Sequence, residues 1–387
     1  MTSKPLSGIR IVEMSHMIMG PSCGMFLAFL GADVIKIEPP DGDRTRHLTG
    51  MGAGFFPLFN RGKRSVTLDL TAEAGRAVFH RLLDTADGFI ENFREGALTE
   101  RGLGVDALRE AHPHLIIVSH KGFLSGPYQN RTAMDEVVQM MTGLAYMTGP
   151  SGRPLRVGSS VNDIMAGLFG AFGILAALRD RDRSGKGSEI RVGLFENCLL
   201  LVAQHMAQYE LEGTVAPPMP ERDFSWPVYD IFVTGDGCPL FVGAVTGGQW
   251  QALCKLMGLE YLLDDPRLQS QMDRINSRDW VVPLFADAIG TQSKTDLLPR
   301  LAALNIPHSP IAKPADMYSD PHVNRPGILT HSRMPDGRNF RAPGMPIEID
   351  GASVCETADV PRLGEHTEAV LREIGCSDEQ VRAAMGT

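Results

Sequence analysis

The chain has 387 residues, 43% of them hydrophobic and 21% charged, and a formal net charge of −9. That length exceeds what one core organises, so two compact units are expected, and the composition excludes long disordered stretches. The acidic balance excludes a general nucleic-acid binder, which needs a basic face, while leaving open a local basic pocket for one anion.

Cys23, Cys198, Cys238, Cys254, Cys355 and Cys376 form no CxxC pair, and the eleven histidines form no HExxH or other short ligand spacing. No metal site is therefore expected. The start of the chain lacks the apolar core of a signal peptide, and the longest apolar stretch, 164–178, is shorter than a bilayer span. Together with unpaired thiols, this predicts a cytoplasmic protein with no membrane contact.

Residues 9–13 and 33–38 read as strands flanking a helix over 21–30, with Pro21 in its first turn. Further strands are predicted at 65–69, 88–91 and 115–119, separated by helical patterns over 72–85 and 105–111. Strand and helix alternating at this interval imply a parallel sheet with helices on its faces. A long helix follows from Asp163 to about 181, then a strand at 189–192 and an apolar helix over 194–212. The stretch 213–227, with four prolines, breaks both periods and reads as a linker. Beyond it, 228–243 reads as a hairpin turning at Gly235-Asp236-Gly237, with helices near 249–257, 277–288 and 294–304. A second Pro-rich passage, 307–326, leads out of this unit, and 341–349 with final helices from Thr367 return to the first.

The turn after the first strand, Met14-Ser15-His16-Met17-Ile18-Met19-Gly20-Pro21, lies where parallel sheets bind ligands. It is not GxGxxG, which counts against a nicotinamide oxidoreductase. Lys36, Arg44 and Arg46, then Arg61, Lys63 and Arg64, place cations beside sheet ends, where solvated loop charge and an anion site are both open readings. Asp163 opens the long helix. It reads either as an N-cap or as a carboxylate that helix amides keep ionised for nucleophilic attack. Gly167, Gly170 and Gly173 leave one face of that helix bare, for a close backbone or a ligand.

Several blocks then coincide with one family. "LSGIRIVEMSHMIMGPSCGMFLAFLGADVIKIEPPDGDRTR", "FNRGKRSVTLDL", "ENFREGALTERGLG", "VSHKGFLSGPY", "MDEVVQMMTGLAYMTG", "VNDIMAGLFGAFGILAALRDRDRSGKG" and "RAPGMPIEIDG" resemble, in order, the class III (formyl-CoA transferase, CaiB–BaiF type) CoA-transferases. The resemblance implies an α/β fold: a large Rossmann-like domain with a parallel sheet from both chain ends (1–212 and 327–387) and a smaller α+β domain (228–306). Linkers fall at 213–227 and 307–326, and two subunits interlock as a homodimer.

The resemblance also implies a CoA-transferase acting on an acyl-CoA and a small carboxylic acid, with the CoA thioester as substrate and no permanently bound cofactor. Asp163 matches the catalytic aspartate and Asp135 a second family carboxylate. His16, Asn92 and Phe93 match CoA contacts, and Lys63, Arg64 and Arg101 are the cations expected at the CoA phosphates. Ile18 replaces a glutamine of formyl-CoA transferases, while Arg46, His47 and Arg156 are expected to hold a second carboxylate, so a dicarboxylate such as succinate or mesaconate is the expected acceptor. The alternatives are an α-methylacyl-CoA racemase and a non-catalytic CoA-binding protein. Racemases carry a histidine before the Asp135 position, where this chain has Met134, which cannot exchange a proton.

Overall fold

The computed structural model describes residues 4–222, 224–354 and 358–386. Strand β1 (Arg10–Met14) leads through helix α1 (Met19–Phe29) to β2 (Asp33–Glu38), then through a short helix α2 (Phe55–Asn60) to β3 (Arg64–Thr67). The alternation continues with α3 (Glu73–Leu83), β4 (Gly88–Glu91), α4 (Val105–Ala111) and β5 (Ile116–Lys121). Helices α5 (Asp135–Thr142), α6 (Leu144–Thr148) and α7 (Val161–Ser184) precede β6 (Glu189–Gly193) and α8 (Leu194–Glu212). The six strands form one parallel sheet in the order β3-β2-β1-β4-β5-β6. The order reverses between β1 and β4, and ligands of such sheets gather beyond the strand ends at that point.

Both faces of the sheet are covered because successive strand residues point to opposite sides and both are apolar. On β5, Ile116 and Val118 pack in the layer with Leu27 of α1 and Ile174 of α7, whereas Ile117 packs with Phe79 and Leu82 of α3.

A second compact unit, Glu221–Val323, has its own core. Its antiparallel strands β7 (Val228–Val233) and β8 (Pro239–Ala244) form the hairpin expected there, and β9 (His308–Pro310) adds along β8. Helices α9 (Gly247–Met257), α10 (Gln271–Asn276), α11 (Arg278–Gly290) and α12 (Lys294–Ala303) complete it, with Trp250 and Phe285 buried in edge-to-face contact. The passage 307–326 is thus not a plain linker as read from sequence. Prolines end helices but are tolerated on an edge strand, and Pro310 sits on one.

The chain re-enters the first unit at Asn324. There β10 (Leu329–Arg333) pairs with β11 (Asn339–Pro343), β12 (Glu348–Ile349) pairs with β13 (Ala352–Ser353), and helices α13 (Thr367–Glu373) and α14 (Asp378–Met385) follow. The large unit therefore draws on both chain ends, but its parallel sheet does not: all six strands lie within 10–193. Residues 339–343 pair antiparallel with 329–333 as a separate ribbon, and Pro343 and Pro346 break the run 341–349. The chain end supplies helices instead. Thr67 N–H donates to Thr367 Oγ1 at 2.9 Å, and Val370, Leu371 and Ala384 complete the core on the α3 side.

Helix α7, at 24 residues, is longer than the apolar run read from sequence and, alone among the described residues, has the length and apolarity to cross a bilayer. In this unit its glycines press it onto other elements. A Cβ on Gly167 would stand 2.7 Å from Met19 O and 2.9 Å from Cys23 N of α1, and one on Gly170 would stand 2.4 Å from His120 Nε2 of β5. Close packing thus accounts for the bare face. Gly167→Ala is expected to lower stability by about 2 kcal/mol, the overpacking cost exceeding any gain in helix propensity. Urea unfolding checks this, and a variant as stable as the parent would show that α1 and α7 can separate freely.

Candidate active site

The turn after β1 is held by side chains, because the strand ladder has ended there. Lys36 Nζ, wholly buried, donates to Ser15 O at 2.7 Å, and Ser15 Oγ donates to Glu13 Oε1 at 2.9 Å. Across the switch point, Asn92 Oδ1 accepts the His16 N–H at 2.9 Å and Asn92 Nδ2 donates to His16 O at 2.7 Å. Met17, at φ +63°, takes a left-handed conformation that swings the chain into α1. The His16 ring stands 5.6 Å from that of Phe93. Crowding by the protein lowers the His16 pKa, with Lys36 assisting and Asp43 and Asn92 opposing, so the imidazole is neutral at neutral pH.

A cavity of about 710 Å³ opens beside this turn, beyond the carboxyl ends of β1 to β3. Pro39, Phe93 and Leu98 give it apolar walls, and Arg44 and Arg101 bring positive charge. Beneath it lies a buried ionic network. Glu13 takes Lys63 at 2.7 Å and Lys36 at 3.6 Å, Lys36 takes Asp43 at 3.0 Å, and Glu38 takes two nitrogens of Arg46 at 2.7 and 2.6 Å. Burial brings the Lys63 pKa down to about 8 against the pull of Glu13.

Asp163 lies in the first turn of α7, three residues beyond the N-cap Ser160. The free amides at that helix end go elsewhere: Asp135 Oδ2 accepts the N–H of Asn162 at 3.2 Å and of Asp163 at 3.1 Å. Gln139 Nε2 donates to Asp135 Oδ1, and Gln139 Oε1 accepts the Val157 N–H at 2.9 Å. Arg156 stands 3.7 Å from both Asp135 and Glu136 and donates to the carbonyls of Val157 and Ser159 at 3.2 Å. The carboxyl of Asp163 itself accepts no hydrogen bond among the described residues. Burial, and then the Asp135 carboxylate, raise its pKa to about 7, with Arg156 pulling the other way. This corrects the expectation that helix amides keep Asp163 ionised; Asp135 has taken them.

The family model for CoA-transferase family III matches residues 6–367. The chain belongs to CoA-transferase family III. It is 32% identical to a succinate–glutarate CoA-transferase of Agrobacterium fabrum, over 96% of each chain. It is equally 32% identical to a formyl-CoA:oxalate CoA-transferase of Streptomyces coelicolor, over 99% of this chain and 98% of that one. A solved CAIB/BAIF family protein from Brucella suis matches its fold with a TM-score of 0.86 and 32% identity, covering 97% of this chain and 100% of the other.

In this transferase the expected residues divide. His16, Phe93 and Arg101 line one cavity and Asn92 holds its wall, whereas Asp163, Asp135 and Arg156 cluster at the start of α7. The remaining expectations fail. Lys63 is buried on Glu13, Pro21 O and Asn60, leaving nothing for a phosphate. Arg64 pairs with Asp33 and Glu373 at the amino ends of the strands, away from the cavity. Arg46 is consumed by Glu38 and the Pro361 carbonyl, with its guanidinium over Phe56. Ile18 is 2% exposed and belongs to the core. His47 is exposed and does not line the cavity.

Arg44, noted among the loop cations but given no site role, shares a 3₁₀ turn with Arg46 and lines the cavity. Its signal was present: Asp43 caps that turn, so neighbouring arginines must diverge. The described cysteines are all free, and Cys355 lies outside the described residues.

The folded Asp163 holds its proton to about 7, whereas an unfolded aspartate releases it near ~3.9. Between those values the native state binds more protons, so this group makes stability fall as pH rises through the window. Asp163→Asn is expected to remove that fall and to unfold at higher urea than the parent at neutral pH. Identical pH slopes in the two proteins would show that Asp163 titrates as an ordinary aspartate.

Proposed function

We propose that this transferase passes coenzyme A from an acyl-CoA such as succinyl-CoA to a small dicarboxylic acid, with Asp163 as the covalent carrier. The observation that carries the reading is the Asp163 carboxyl: half-buried, accepting no hydrogen bond among the described residues and raised to about 7, it is more basic than an ordinary aspartate. Once ionised it is a nucleophile with little solvation to shed. An Asp163 oxygen attacks the thioester carbon, the C–S bond breaks, and a mixed anhydride and CoA thiolate result. The thiolate attacks the aspartyl carbonyl, releasing the donor acid and leaving an aspartyl-CoA thioester. The acceptor carboxylate then attacks that thioester, and the thiolate returns to the acceptor's carbonyl and frees Asp163. No proton or electron is gained or lost over the cycle.

Asp135 fixes the first turn of α7 and keeps Asp163 basic. The cavity beside His16 suits the CoA nucleotide, with Arg44 and Arg101 for its phosphates. Of the three cationic groups expected for a second carboxylate, Arg156 alone is near Asp163 and only loosely paired. Of the similar proteins named above, one carries two dicarboxylic acids in its name, succinate and glutarate, and the other pairs formyl-CoA with the dicarboxylic acid oxalate. Met134, exposed before Asp135, offers no base for racemisation. The free thiols fit a cytoplasmic setting.

Incubation with succinyl-CoA and a panel of mono- and dicarboxylic acids at mildly alkaline pH, read by mass, tests this. New dicarboxylyl-CoA thioesters are expected, without α-deuterium when the solvent is deuterium oxide. Asp163→Asn is expected to lose all but about a hundredth of the activity, and Arg156→Gln to raise KM for dicarboxylates more than for monocarboxylates. Full transfer by Asp163→Asn would remove it as carrier.

A homodimer belongs to the same proposal. Leu168, Phe169, Phe172 and Leu175 of α7 and Leu200 and Met206 of α8 are large apolar side chains left exposed, a feature that marks interaction sites where such residues are contiguous. A second copy of the chain, interlocked as in the family, would cover them in an obligate interface. Sedimentation is expected to give the mass of two chains down to nanomolar concentration. A monomer at micromolar concentration would exclude the arrangement.

A further inference from the structure

Lys121 and Glu91 take no part in the chemistry above and do not line the cavity, yet they hold its wall. Glu91 ends β4 and Lys121 ends β5, the neighbouring parallel strand. Lys121 Nζ stands 2.8 Å from Glu91 Oε1, with the lysine side chain 10% exposed and the glutamate fully buried. Each then reaches past the strand end to the same residue. Glu91 Oε2 accepts the Phe93 N–H at 2.9 Å, and Lys121 Nζ donates to Phe93 O at 3.0 Å. One ion pair thus grips both polar groups of the Phe93 backbone, groups that no strand is left to satisfy.

The grip is repeated one step on. Asn92 holds the N–H and the carbonyl of His16 in the same two-handed way. The two rings, in contact at 5.6 Å in the cavity lining, are therefore fixed in series: ion pair to Phe93, and Asn92 to His16. A buried ion pair offers little net stability, since desolvation offsets most of its attraction, so what remains is the geometry it imposes.

We propose that Lys121 and Glu91 are a positioning pair that sets the affinity of this transferase for acyl-CoA by fixing the Phe93–Asn92 turn against His16. The inference rests on the reading of that cavity as the CoA site. Lys121→Met alone would leave Glu91 buried and uncompensated, with a risk of misfolding. The test variant is therefore the double substitution Glu91→Gln with Lys121→Met, in which the introduced amide is uncharged and its oxygen can still accept the Phe93 N–H; Lys121→Arg is the conservative control.

Thermal unfolding first shows that each variant is folded. Calorimetric titration with CoA and steady-state kinetics with succinyl-CoA follow. The double variant is expected to raise the CoA Kd and the acyl-CoA KM in parallel by about tenfold or more, with kcat within about threefold of the parent. Lys121→Arg is expected to recover most of the affinity. A folded double variant with parental Kd, or one that loses kcat at unchanged Kd, overturns the positioning role. Phe93→Ala separates this from failure of the underlying reading. If Phe93→Ala weakens CoA binding and the double variant does not, the pair is merely structural; if neither does, the cavity is not the CoA site.

Discussion

The close approach of α1 and α7 is the constraint on which the site depends. Gly167 leaves room only for backbone, since Met19 O and Cys23 N of α1 occupy the place of its absent side chain. Helix α1 is the direct continuation of the turn that carries His16, and α7 carries Asp163 one turn before Gly167. That one glycine therefore sets how closely the helix behind the cavity turn approaches the helix that carries Asp163. A larger residue would separate the helices and shift both functional groups at once, the kind of small displacement that costs catalysis far more than binding.

The same economy of space decides which charges are available. Six ionised side chains near the strand ends, Glu13, Lys36, Glu38, Asp43, Arg46 and Lys63, neutralise one another below the surface. Such groups are tolerated only when paired, and here they anchor the loops that form the cavity floor. Arg44 and Arg101 are the cations left facing the cavity. A sequence shows the cations but not the carboxylates they meet in space, so Lys63 and Arg46 were given ligand roles while Arg44 stayed an unassigned loop cation.

Much of the fold was legible because period and burial coincide. Strands β2 and β4 and helices α4 and α8 fall at the residues where alternation or helical period places them. Asp163 was legible too, since a lone acidic residue at the start of a long apolar helix invites attention. What escaped was the exchange of roles between two carboxyls 28 positions apart: Asp135 binds the helix amides, and Asp163 is left half-buried beside it with a raised pKa. Spacing along the chain could not show that, because the amides of one helix were claimed from another. The return of the chain end as separate antiparallel ribbons and helices, with no strand in the parallel sheet, was hidden for a related reason. Short apolar runs cut by Pro343 and Pro346 have no period long enough to read.

The discontinuity of the large unit governs the order in which the molecule can assemble. Thr67 and Thr367, hydrogen-bonded neighbours, are 300 positions apart in the chain. Val66, Phe79 and Phe89 share a core with Val370, Leu371 and Ala384, and those last residues are synthesised only after the whole of Glu221–Val323. During translation the α3 face of the parallel sheet, covered in part by α3 and α4, therefore lacks its last apolar residues while a continuous unit with its own core is being made. Contacts of such high sequence separation form slowly and leave apolar surface exposed in the meantime. A nascent chain stalled between β6 and α13 is thus a sheet with one incompletely covered face, a substrate for chaperones and proteases before it is a transferase.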